Sequence, residues 1–108
     1  MSRDDLIAAI SKASAPKPVS IEVDGMGTVY LRVMTAYDAE ALRKQMEAAK
    51  KDDGCETGRL LAGLLCDEDG KLLFDIDNAE QVLMLAKLPS TMQTAMINAG
   101  SKANDAGK

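Results

Sequence analysis

The sequence predicts an α+β domain, mostly helical, in which one β-hairpin packs on about four to five helices. Three observations carry this prediction. Val19, Ile21 and Val23 alternate with Ser20, Glu22 and Asp24, and the alternation resumes at Val29, Leu31 and Val33. A side-chain period of two marks a half-buried strand, and Asp24-Gly25-Met26-Gly27 between the runs supplies turn residues that tolerate positive φ. Elsewhere the apolar residues recur at helical spacing. A hairpin alone is unstable in water, so its Val/Ile/Leu face must lie on those helices.

Taken in order, Ser2 with Asp5 has the form of a capping box, and Leu6, Ile7 and Ile10 fall on one face of a helix ending near Ala13. Ser14-Ala15-Pro16-Lys17-Pro18 follows, a short stiff linker, because two prolines favour extended backbone and stop a helix. The first helix therefore either packs back on the domain or reaches a neighbouring subunit. After the hairpin, Thr35 and Asp38 form a second capping box. Leu42, Met46, Ala39 and Ala49 make the inner stripe, and Glu40–Lys44 and Glu47–Lys51 are pairs on the wet side. Lys50-Lys51-Asp52-Asp53-Gly54 ends this helix.

The centre of the chain is Arg59–Phe74. Leu60, Leu61, Leu64 and Leu65 form one wide helical stripe, and Gly58, Ala62 and Gly63 leave the helix thin where another backbone can approach. Asp67-Glu68-Asp69-Gly70 is expected to stop that helix, with Gly70 in the left-handed conformation, and Lys71-Leu72-Leu73-Phe74 to run back along the core. A calcium loop is a poor reading of the acidic run. With Gly70 in the sixth place, Leu65 and Ile76 stand where an EF-hand needs acidic ligands. Asp77 with Glu80 is expected to cap a helix through Lys87, with Val82, Leu83, Leu85 and Ala86 inward. Pro89 breaks it, and Ser90 with Gln93 restarts a last helix whose face is Met92, Met96, Ile97 and Ala99. The domain organisation is thus 1–18 helix and linker, 19–100 globular domain, and 101–108 flexible tail.

Composition narrows function. A chain of 108 residues supports one domain, which buries about 65% of its unfolded surface. With Tyr30, Tyr37 and Phe74 as the sole aromatics, the core must be aliphatic, helped by seven Met. A net charge of −4 with scattered basic residues argues against nucleic acid as a partner. No apolar run reaches the roughly 18 to 20 residues of a membrane span. The acidic start Met1-Ser2-Arg3-Asp4-Asp5 is unlike a signal peptide, so a cytoplasmic protein is expected. The absence of His removes Ser-His and Cys-His nucleophile pairs and His-ligated metals. Cys55 and Cys66 are expected as free, buried thiols. Eleven residues apart on one helix, they would lie about 16 Å from each other, too far to bridge. No catalytic residue, cofactor or metal site is expected.

Two surfaces are candidates for binding. Asp67, Glu68, Asp69, Asp75, Asp77 and Glu80 form an acidic patch that is either solvated loop surface or a dock for a basic partner. Met84, Leu85, Leu88, Met92, Met96 and Ile97, on the last two helices, are either core or a forgiving groove for another protein's apolar helix.

The order of these pieces resembles the small tail assembly chaperones of long-tailed, siphovirus-type bacteriophages. The resemblance covers Val19 to Asn104. It runs through the strand Gly27-Thr28-Val29-Tyr30-Leu31-Arg32-Val33-Met34-Thr35-Ala36, the segment Arg59–Phe74 with its Leu65-Cys66-Asp67-Glu68-Asp69-Gly70, the helix Asn78–Lys87 and the last helix. Met1–Pro18 lies outside it. The resemblance implies a non-enzymatic chaperone that binds and solubilises the tape measure protein and helps recruit tail tube subunits. Such a protein works in the host cytoplasm and is absent from the mature virion. It also implies a longer product made by ribosomal frameshifting, for which Ala106-Gly107-Lys108 would suit a slippery codon pair. A homo-oligomer is compatible with it. The alternatives are another phage protein-interaction module, either a head–tail component or a small regulatory adaptor, and, more remotely, a small enzyme using carboxylates or Cys66.

Overall fold

Ser2 opens the first helix as the sequence predicts: its Oγ accepts from the Asp5 N–H at 3.1 Å, and the Asp5 carboxylate accepts from the Ser2 N–H. A computed structural model describes residues 2–14, 16–49 and 53–105. Within them lie α1 (Arg3–Ala13), β1 (Val19–Val23), β2 (Gly27–Leu31), α2 (Ala36–Ala48), α3 (Glu56–Leu64), β3 (Leu65–Cys66), α4 (Ala79–Ala86) and α5 (Ser90–Asp105). The architecture is α+β and mostly helical, with an antiparallel sheet in the order β1-β2-β3.

β1 and β2 pair from Val19↔Leu31 to Val23↔Gly27. The turn is closed by the Met26 N–H donating to the Val23 carbonyl at 2.9 Å, with Gly25 at φ +88° where L side chains are strained. Glu22 and Thr28, directly opposite, join by a side-chain hydrogen bond on the wet face. α2 starts on the expected Thr35–Asp38 capping box, and Leu42 points into the core. Lys44 pairs with Glu40 at 3.6 Å, and Glu47 pairs with Arg43 at 3.0 Å. The Glu47–Lys51 pair and the lysines at the end of this helix lie outside the described residues.

α3 is the hub. Leu61 and Ala62 are fully buried, Leu64 nearly so, and together with Leu31, Val82, Leu85 and Met96 they form the core. Among the described glycines Gly58 permits the closest approach: a Cβ there would lie 2.3 Å from the Val82 carbonyl oxygen and 2.9 Å from the Ala86 nitrogen. At Gly63 a Cβ would meet the Leu42 side chain at 2.5 Å. The thin side of the helix is therefore occupied by α4 and α2. The N-cap residue of α3, Cys55, makes no side-chain capping bond of its own. Asp53 does that work from upstream, accepting from the Cys55 N–H at 3.0 Å and from both ends of the buried Arg59 guanidinium, 3.2 Å at one nitrogen.

The structure corrects the sequence reading at several points. The leucine run does not stay helical to the acidic turn. α3 ends at Leu64, and Leu65–Cys66 form β3 against Leu31 and Tyr30. The Arg32 N–H donates to the Leu64 carbonyl at 2.8 Å and the Arg32 guanidinium to the Gly63 carbonyl at 2.9 Å, so the helix end is satisfied from the neighbouring strand. Cys55 and Cys66 consequently do not share a helix; both are free. Gly70 does take φ +87°, but in the turn after β3, where it is no helix cap.

α4 is capped by Asn78, whose Oδ1 accepts from the Gln81 N–H at 3.1 Å, and not by Asp77 with Glu80. The Asp77 N–H is tied to Asp75 Oδ1 at 2.9 Å. Leu83 faces solvent on this helix, since the Gly58 contact turns Val82, Leu85 and Ala86 inward. Gln93 does not close a capping box with Ser90. Its amide reaches back to the Leu85 and Ala86 carbonyls at 2.9 and 3.0 Å and seals the end of α4. Finally, α5 continues past Gly100 instead of fraying there. The Asn104 amide donates to the Arg32 and Gly100 carbonyls at 3.1 and 2.8 Å and accepts from the Met34 N–H at 2.6 Å, which pins the helix to the chain after β2. Ala106-Gly107-Lys108 lies outside the described residues.

Candidate functional site, an apolar groove beside the sheet

Asp67 shapes the segment that walls this site. Its Oδ1 accepts from the Asp69 and Lys71 N–H groups, each at 2.9 Å, and its own N–H donates to the Lys71 carbonyl at 2.9 Å. Such a local side-chain turn reverses the chain within four residues. Leu72 then bridges back to Cys66, and the Leu73 N–H donates to the Leu65 carbonyl at 3.3 Å. Lys71–Phe74 thus returns alongside β3 for a single bridge, without becoming a strand of its own. Part of the expected acidic patch is accordingly engaged with backbone: Asp67 in this turn and Asp75 in the next.

Between this returning segment and β2 lies a groove of about 430 Å³. Val29 and Tyr30 of β2, Leu65 and Cys66 of β3, Leu73 and Phe74 of the return, and Leu85 of α4 line it, with Met26 and Thr28 towards the hairpin turn. Met26, 40% exposed, and Leu73, 55% exposed, stand at the surface of this lining. The charged members of the lining are Asp67 and Glu68, both acidic. Removal from water pushes the Cys66 thiol above its ordinary value. The Asp67 carboxylate adds to the shift, and the Arg32 charge opposes it. The thiol therefore stays protonated at neutral pH and is a weak nucleophile. What the groove offers is apolar contact with an acidic margin.

The six residues expected to bind a partner do not form one surface. Met96 is fully buried and Leu85 nearly so; both belong to the core, although Leu85 also reaches the groove. Leu88, Met92 and Ile97 pack against that core, and Met84 alone of the six stands in water, at 53% exposure. Met92 has a definite task. Its terminal methyl sits 2.7 Å from where a Cβ on Gly25 would be, so the hairpin turn rests on α5. Apart from α1 and Tyr37, the exposed large apolar residues lie instead around Met26, Leu72 and Leu73, with Leu83 and Met84 on α4. One signal for this was present in the sequence. Leu72-Leu73-Phe74 is apolar throughout, and alternation along an extended segment sends at least one of any two neighbours outward; here both Leu72 and Leu73 are exposed, because the segment is held by a single bridge.

Among the described residues no helix is long and apolar enough to cross a membrane. No protein-family model matches the chain significantly, and neither does any curated protein or solved structure.

Proposed function

We propose that this chain is a non-enzymatic holding protein whose groove shelters apolar helical segments of a larger client. The observation that carries this reading is the groove itself: apolar walls, an exposed Leu73, and a margin of Asp67 and Glu68. A concave apolar site of a few hundred Å³ suits side chains projecting from one face of an amphipathic helix. Its two hydroxyls and one protonated thiol offer little for bond-making. The resemblance of Gly27–Ala36 and Arg59–Phe74 to tail assembly chaperones gives the client a class: the long helical tape measure protein of a phage tail, with tail tube subunits recruited to the resulting complex. The setting of this role is the host cytoplasm, before the tail is complete.

The test is co-expression with a tape measure protein from the same genome. The native chain is expected to move that protein into the soluble fraction, and Leu73→Glu, which places a charge at the groove, is expected to abolish the gain. Equal insolubility with and without the chain refutes the reading. Retention of the chain in purified virions would favour a structural head–tail component instead.

A further inference from the structure

We propose that the groove is occupied, before any client arrives, by α1 of a second copy of this chain, so that two copies exchange their first helices. The starting point is a helix with defined ends and an apolar face that the described residues leave about half in water. α1 has a complete capping box, yet it buries no residue: Leu6, Ile7 and Ile10 are 48, 47 and 57% exposed. An isolated helix of eleven residues is marginal in water, and its stability must come from covering an apolar face. At 3.6 residues per turn that face consists of Leu6, Ile7 and Ile10 with Arg3 in line beneath them, while Asp4, Asp5 and Lys12 lie away from it. Its one charge is therefore positive. The charged lining of the groove is Asp67 and Glu68. Apolar face meets apolar wall, and Arg3 meets the acidic margin.

The spacer argues for a neighbour's groove over the chain's own. Pro16-Lys17-Pro18 joins α1 to β1, lining a hollow shared with Arg32, Glu68 and Gly70, and the Pro18 ring is 3.8 Å from where a Cβ on Gly70 would be. Two prolines in three residues hold an extended backbone that cannot double back at once. The spacer is thus seated beside the acidic turn, and no residue of α1 contributes to the groove a few residues away. A reciprocal exchange between two copies satisfies both unpartnered surfaces twice and closes with two-fold symmetry. This inference concerns the chain without client and does not depend on the identity of the client.

Sedimentation velocity of the full chain across a concentration series tests it. The wild type is expected to be a dimer, and Ile7→Asp with Ile10→Asp to be a monomer that loses at most the helical signal of α1 and keeps the melting midpoint of the domain, since both positions are half in water. Leu73→Asp, or Met26→Asp if the first folds poorly, is expected to be monomeric from the other side of the contact. Mixing the α1 variant, which keeps its groove, with the groove variant, which keeps its helix, is expected to give a heterodimer that neither forms alone. Arg3→Glu should weaken the dimer by up to about 25-fold, roughly fivefold for each of the two symmetric ion pairs at the upper range for exposed pairs, and Glu68→Arg in the same chain should restore it. A wild type monomeric at every concentration, a dimer indifferent to both sets of substitutions, or a mixture that stays monomeric overturns the proposal.

Discussion

α1 and α3 are short helices of eleven and nine residues built on opposite terms. α1 has the better local chemistry: a reciprocal capping box, acids in its first turn, Lys12 in its last, and no glycine. α3 has no capping bond from its own N-cap residue and contains two glycines, yet six of its nine residues are buried. Local signals say where a helix begins; they do not say whether the fold depends on it. Glycine, a poor helix former, is what lets α3 be the hub, because only its absent side chain admits the α4 backbone.

Gly58→Ala is the sharpest way to break this contrast. By helix propensity the change should stabilise by about 1 kcal/mol. By packing it should destabilise by about 3 kcal/mol or more, since the neighbour at 2.3 Å is a backbone oxygen that no rotamer change can move. The expected result is a fall in thermal midpoint of roughly 10 °C or more, read by calorimetry. A rise would mean that α3 and α4 are not in contact as described.

A smaller loss is expected of Asp53→Asn, which removes the group that stands in for a cap on α3. The hydrogen bonds from Arg59, and then from the Cys55 N–H, hold the Asp53 carboxyl below its ordinary value of 3.8. The folded state therefore favours the charged form. The stabilisation is complete above that ordinary value and disappears as the pH falls through the lower folded value. Melting curves of wild type and variant should differ at neutral pH and converge in strong acid. Curves that stay parallel down to strong acid would show that the ion pair is not the cause.

The least effect on the fold is expected of Ser2→Ala, although it removes a complete capping box. Under dilute, monomeric conditions the global melting midpoint should not move, while amide exchange in α1 should quicken about fivefold, the equivalent of roughly 1 kcal/mol. A global shift would place α1 inside the cooperative unit.

The same contrast explains what could be read in advance. The hairpin was legible because a period of two over Val19–Val23 and Val29–Val33 is a local pattern, although the second strand ends at Leu31, and the two capping boxes were legible because their partners are three residues apart. The end of α3 was not. Leu60, Leu61, Leu64 and Leu65 have helical spacing, and what turns Leu65 into a strand residue is Arg32, far away in sequence, which satisfies the Gly63 and Leu64 carbonyls. The ordered end of α5 was hidden for the same reason: small polar residues after Gly100 look loose until Asn104 meets Arg32 and Met34. The candidate site was less legible still. Methionine spacing on α5 is the same whether the residue is core or surface, and Met96 proves to be core. The groove draws its walls from β2, β3, the return segment and α4, so no single window of sequence contains it.

One consequence of the Gly58 contact lies on a different helix. With the Val82 carbonyl lodged against Gly58, α4 has a fixed rotational setting about its long axis, and that setting leaves Leu83 and Met84 in water. A missing methyl group on one element thus decides which side of its neighbour is greasy to the touch of another molecule.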